Sequence, residues 1–136
     1  MDPDLFQRWY HYLITQWGLS PIFAEQVAAV QSWIQTNGGE AVRITSGYRS
    51  PVRQSQLQAR WDAGDRRGLV ARPADASWHM QGLAVDVSTR SPYFEWFRYG
   101  MQYLGNRWGG EFRKYDPVHF DRPIGEPKTI KQLLSG

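Results

Sequence analysis

Apolar residues recur every three or four positions near the start of the chain: Leu5, Phe6, Trp9, Tyr10, Leu13, Ile14 and Trp17. That spacing lays them along one face of a helix, which Gly18 stops. Ser20 and Pro21 suit an N-cap and a first helical position. Phe23, Val27, Val30 and Ile34 then carry a second helix to the Asn37-Gly38-Gly39 stop. The period changes after that. Residues 41–46, "AVRITS", alternate apolar and polar and read as a short strand leading to the turn at Gly47. Ser50-Pro51 repeats the cap-and-proline signal and opens a third helix through Gln54, Leu57 and Trp61, with Gly64 ending it. From Gly64 to Ala76 the chain is polar, rich in Arg, Asp, Gly and Pro, and without a period, so it reads as a surface loop.

Beyond the loop, "GLAVDVS" is the second strand, and Ser91-Pro92 caps a helix through Phe94, Phe97, Met101 and Leu104. "RWGGEFRKYDPVHFDRP" predicts a closing hairpin, one strand near Arg107 to Phe112 and the other near Val118 to Asp121. A last short helix is expected near Lys128 to Leu134. This mixed order predicts an α+β fold with a small antiparallel sheet flanked by helices. At 136 residues one domain is expected, with a helical part over 1–40, a core carrying the chemistry over 41–123 and a C-terminal tail over 124–136.

Composition narrows the partners. Seven Trp, seven Tyr and six Phe are many for this length, enough for a core and for a groove that binds a ligand. The net charge of +3 comes mostly from thirteen arginines against three lysines, with no long basic run, and favours anionic partners such as a wall polymer or nucleic acid. Cysteine is absent, which excludes disulfides and thiolate metal sites. The opening "MDPDLFQRWYHYLITQWG" is acidic at its start and carries Arg8, His11 and Gln16 through its apolar part, so no signal peptide is expected. No run approaches the roughly 18 apolar residues of a membrane span. The expected product is a monomer made in the cytoplasm.

Three histidines are available. His11 belongs to the first amphipathic helix and reads as a partly exposed helix residue. His79 precedes the second strand, where a rigid element aims side chains. On that strand, period-two alternation puts Leu83, Val85 and Val87 on one face and Ala84, Asp86 and Ser88 on the other, with the small Ala84 leaving room beside the carboxylate. On the closing strand Val118 and Phe120 face the core while His119 and Asp121 face the other way. His79, Asp86 and His119 thus form a candidate zinc site of three ligands with a position left for water. Asp116, held by Pro117, is either a turn initiator or the carboxylate that moves a proton between water and a leaving amine. Arg49, between a strand and a capped helix, offers a fork of donors for a carboxylate or an oxyanion.

Together "SGYRSPVRQ", "SWHMQGLAVDV", "WGGEF" and "DPVHFD" resemble, in order, the zinc-dependent peptidoglycan peptidases grouped with the D-alanyl-D-alanine carboxypeptidases, whose fold is shared with the hedgehog signalling domain. The resemblance covers roughly residues 41 to 123. Its branch of phage L-alanyl-D-glutamate endolysins looks closest, since "WGGEF" resembles the Trp-Gly-Gly-Asp-Trp segment of those enzymes. Glu111-Phe112 stands here in place of Asp-Trp, and Asp116 stands where many carboxypeptidase members carry Glu. The resemblance implies His79, Asp86 and His119 as ligands to Zn2+, Asp116 as general base and acid, and Arg49 as the group that steadies an oxyanion or holds a substrate carboxylate. It implies that Gln54 orients that arginine or the substrate and that Ser77 binds substrate backbone. The expected partner is bacterial peptidoglycan, reached after phage or prophage release or from a virion. D-alanyl-D-alanine carboxypeptidase action and a non-catalytic, metal-stabilised binding domain are the alternatives on the same fold. A nucleic-acid binder ranks below both, because no basic recognition helix or RNA-binding aromatic motif accompanies the arginines.

Overall fold

The computed structural model describes residues 2–135. Asp2 caps the first helix, α1 (Pro3–Trp17), its carboxylate accepting from the backbone N–H groups of Asp4 and Leu5. Gly18 ends the helix at φ 65°, a conformation that costs glycine little, and the Leu19 N–H turns back to the Leu13 carbonyl. Ser20 stands at the N-cap of α2 (Pro21–Thr36) as expected, but its hydroxyl makes no capping bond. The second helix is the more buried of the pair: Phe23, Ala24, Val27, Ala28, Val30 and Ile34 are all inside, and α1 lays Leu13, Ile14 and Trp17 against the same core.

Four short strands form one antiparallel sheet: β1 (Ile44–Ser46), β2 (Ala84–Val87), β3 (Arg107–Trp108) and β4 (His119–Asp121), in the order β1-β2-β4-β3. The first strand is shorter than the alternation over 41–46 predicts, and side chains are the cause. The buried Gln31 amide of α2 accepts from the Val42 N–H and donates to the Val42 carbonyl, both at 3.0 Å, and the Arg43 N–H donates to the Ser91 hydroxyl. Backbone groups satisfied in this way do not join the ladder.

The remaining helices are α3 (Pro51–Asp62), α4 (Phe94–Tyr103) and α5 (Ile130–Ser135). Ser50 caps α3, its hydroxyl accepting from the Arg53 N–H. Ser91-Pro92 does not cap α4: it lies in the turn before the helix, Tyr93 holds the cap position, and the Ser91 hydroxyl is taken by Arg43. The polar stretch from Gly64 to Ala76 forms turns, tied by a half-buried pair of Asp65 with Arg60 and a pair of Asp65 with the exposed Arg67, and Ala76 pairs with Thr129 in an isolated bridge ahead of α5. Among the described residues no helix is long and apolar enough to cross a membrane.

One face of the sheet is locked in the core. Phe120 of β4 stands edge-on to Phe97 of α4 with centroids 5.1 Å apart, and Val85 and Val87 of β2 are fully buried. Ala84, expected to leave room beside Asp86, is instead fully buried within the core. Asp86, His119 and Asp121 occupy the other face, which is where the chemistry gathers.

Candidate metal centre

Register brings the first two groups together. β2 and β4 pair with Asp86 directly opposite His119, so a two-strand ladder places a carboxylate and an imidazole side by side. His79 arrives on a 3-10 helix, Trp78–Gln81, that alternation did not foresee. Ser77 caps it, its hydroxyl accepting from the His79 N–H at 3.2 Å, and Gly82 ends it at φ 69°. A side chain at Gly82 would be strained by that angle and would also meet the Ser20 nitrogen at 2.7 Å, so glycine is needed there twice over.

The ligand atoms of His79, Asp86 and His119 all lie within 4.8 Å of one another. His79 Nε2 and His119 Nδ1 approach the same oxygen, Asp86 Oδ1, at 3.3 and 3.1 Å. Each ring is held from behind. His79 Nδ1 donates to the Gly47 carbonyl at 2.8 Å; a carbonyl only accepts, so that nitrogen carries the proton and Nε2 is left for a cation. His119 Nε2 meets Asp121 Oδ2 at 2.7 Å, and Asp121 in turn takes a two-pronged pair from Arg107 at 2.7 and 2.9 Å. This is the arrangement that fixes ring orientation in histidine metal sites.

The charges are strongly coupled. Burial pushes the Asp86 carboxyl up, but the adjacent His119 and His79 outweigh it and hold Asp86 well below the usual carboxylate range. Burial opposes a charge on His119, yet Asp121 and Asp86 push it up to about 9. Asp121 is likewise lowered, with burial against it and His119 and Arg107 in favour.

Asp116 is half-buried and stands outside the converging ligand set. Its carboxylate accepts no hydrogen bond among the described residues, and burial together with the charge of Asp86 raises its pKa. The turn that carries it is tightly held. The Asp116 N–H donates to the Gly109 carbonyl, the Trp108 indole donates to the Pro117 carbonyl, and the His119 N–H donates to the Asp116 carbonyl. A Cβ on Gly109 would lie 2.1 Å from the Asp116 carbonyl oxygen, which accounts physically for the glycine of "WGG". Phe112 packs its ring against His119 and Arg107, whereas Glu111 turns outward to accept from Gln102.

Arg49 is half-buried, donating to the Gln54 carbonyl oxygen at 3.0 Å and to the Ser46 hydroxyl at 3.2 Å. Burial lowers its pKa, with Asp86 acting in the opposite direction. Gln54 is only 1% exposed, and its amide donates to the Ala74 carbonyl, so the two ends of this side chain are spent within the protein. Of the two roles held open for Gln54, the contacts are those of orienting the arginine. Ser77 is half-buried with its hydroxyl bonded to the His79 backbone. His11 is exposed on α1, apart from the cluster.

No family model matches the chain, and no curated protein matches it. Solved structures are similar to the chain, among them that of the L-Ala D-Glu endopeptidase ChiX of Serratia marcescens, with 20% identity, coverage of 88% of this chain and 86% of that chain, and a TM-score of 0.47.

Reading the sequence missed the outer ring of the site: Asp121, Arg107 and the Gly47 carbonyl. The signal for Asp121 was present, because a residue two positions after His119 on a strand shares its face. Arg107 becomes visible only once β3 is paired to β4 with Arg107 opposite Asp121. A backbone carbonyl leaves no trace in a residue pattern.

Proposed function

We propose that this chain is a zinc-dependent peptidase that hydrolyses the stem peptide of bacterial peptidoglycan. The observation that carries the reading is the convergence of two imidazoles and one carboxylate on a common point, each imidazole backed by an acceptor, with an unbonded carboxylate beside them. Two nitrogens and an oxygen suit zinc in a catalytic site, where three protein ligands leave a position open. Zinc held there supplies Lewis acidity, polarising a carbonyl and acidifying water.

The other steps belong to the chain's own side chains. Asp116, its affinity for a proton increased by burial, takes a proton from the attacking water and returns it to the leaving amine. Arg49, oriented by Gln54 and Ser46, steadies the negative charge that develops on the scissile carbonyl or holds a substrate carboxylate. Ser77 sets the backbone of His79 and, two residues before that ligand in the chain, meets substrate backbone. Asp116 separates this reading from a metal-stabilised binding domain, which needs ligands but no free carboxylate. The resemblance of "SWHMQGLAVDV" and "DPVHFD" to the endolysin branch supports a bond between L-alanine and D-glutamate as the one cleaved, with release in a phage or prophage context.

The test is digestion of purified peptidoglycan by the zinc-loaded protein, with new termini identified by mass spectrometry. Fragments beginning with D-glutamate are expected from the wild type and not from Asp116→Ala. No new termini, with wild type and Asp116→Ala indistinguishable, would overturn the reading.

A further inference from the structure

A groove of about 450 Å³ runs beside the metal centre, lined in part by Trp17, Ser46, Gly47, Tyr48, Arg49 and Arg53, and no Asp or Glu lines it. It adjoins the site through the backbone. Gly47, whose carbonyl holds His79, is one of its lining residues, and the Arg49 backbone N–H donates to the His79 carbonyl at 3.0 Å.

The charged side chains that line this groove are of one sign. Arg60, Arg67, Arg72, Arg98 and Arg107 each have a carboxylate within salt-bridge distance. Among the described residues, neither Arg49 nor Arg53 has one. Arg49 is instead held by a neutral amide and a neutral hydroxyl, which orient a guanidinium without neutralising it. Arg53, one turn into α3, is near enough to repel it. Two like charges at one groove, one of them half-buried and neither with a carboxylate at salt-bridge distance, are relieved when an anion joins them. Guanidinium forks match a carboxylate, whose oxygens only accept; a carboxamide brings two donors of its own against donors.

We propose that Arg53, together with Arg49, binds a free carboxylate of the substrate adjacent to the scissile bond, making the enzyme selective for stem peptides that are acidic at that residue over those amidated there. This rests on the peptidase reading and names its substrate class. In a peptide cut on the amino side of D-glutamate, the free α-carboxylate sits on the carbon that bears the leaving nitrogen. The groove that would receive it adjoins His79 through Gly47 and Arg49.

The experiment uses two L-alanyl-D-glutamyl-L-lysine stem peptides, linked through the glutamate γ-carboxyl, one with the α-carboxyl free and one with it as the carboxamide. For the zinc-loaded wild type, kcat/KM is expected to favour the free acid about ten-fold, the scale of one partly exposed charge-assisted contact. Arg53→Gln is expected to bring that ratio down to about two or less, and Arg53→Lys to retain most of it. Binding of both peptides to the uncleaving Asp116→Ala chain, followed by calorimetry, should show the same preference. A wild-type ratio near one, or a ratio unmoved by Arg53→Gln, overturns the proposal while cleavage of both peptides leaves the peptidase reading intact. Tighter, Arg53-dependent binding of the acid with no cleavage of either peptide upholds the groove and overturns the peptidase reading.

Discussion

Two carboxylates flank the ring of His119, and they differ in what else they touch. Asp86, on β2, faces Nδ1, accepts from His119 and lies 3.3 Å from His79 Nε2, with no arginine or lysine paired to it among the described residues. Asp121, on β4, faces Nε2, is 1% exposed and is neutralised by the two-pronged contact with Arg107. Both are acids beside the same imidazole on the same sheet face. The difference lies in the counter-ion. A carboxylate already paired with a guanidinium orients the ring, while one paired only with imidazoles keeps its charge for a cation.

That distinction breaks at graded points. Asp86→Ala removes one of the three converging donors and should abolish stoichiometric zinc uptake, measured by equilibrium dialysis; full occupancy in that variant would place the ligand elsewhere. Asp121→Asn keeps an acceptor behind His119 but loses the charge, and zinc affinity in a chelator competition should weaken roughly ten- to a hundred-fold, as outer partners of metal-bound histidines do. An unchanged affinity would make Asp121 a bystander. Arg107→Ala acts one step further out through a side chain that is half exposed, so only about two- to five-fold is expected in the same assay.

The smallest effect is a single proton. In the metal-free site both nitrogens of His119 face carboxylate oxygens, so the ring is protonated at neutral pH and loses its proton near pH 9. A cation at Nδ1 must displace that proton. Zinc affinity should therefore rise with pH up to about 9 and level off above it. Calorimetry at pH 7 in buffers of different ionisation enthalpy should read a proton released from His119; a release of none would show the ring already neutral.

How far the residue pattern carries depends on which groups satisfy the backbone. The first three helices are bounded by signals that act locally, such as Gly18 in the left-handed region and the capping hydroxyl of Ser50, and these are readable from neighbours alone. Strand alternation likewise put His119 and Asp121 on one face and Asp86 opposite Val85 and Val87. Two departures depend on distant partners. Gln31 takes the Val42 backbone out of the ladder from eleven residues away, and Arg43 takes the Ser91 hydroxyl that would have capped α4. The 3-10 helix bearing His79 spans only four residues, too few to show a period. Ala84 is buried because the core closes over it, which its small size alone did not reveal.

The division between ligands and free carboxylate is the centre of the account, and zinc stoichiometry in two variants tests it most directly. His119→Ala removes one of the three converging donors, whereas Asp116→Ala removes a carboxylate that stands outside them. With circular dichroism confirming that both are folded, Asp116→Ala should bind one equivalent of zinc and His119→Ala should not. If Asp116→Ala is also empty, Asp116 holds the metal and is not the group that moves the proton.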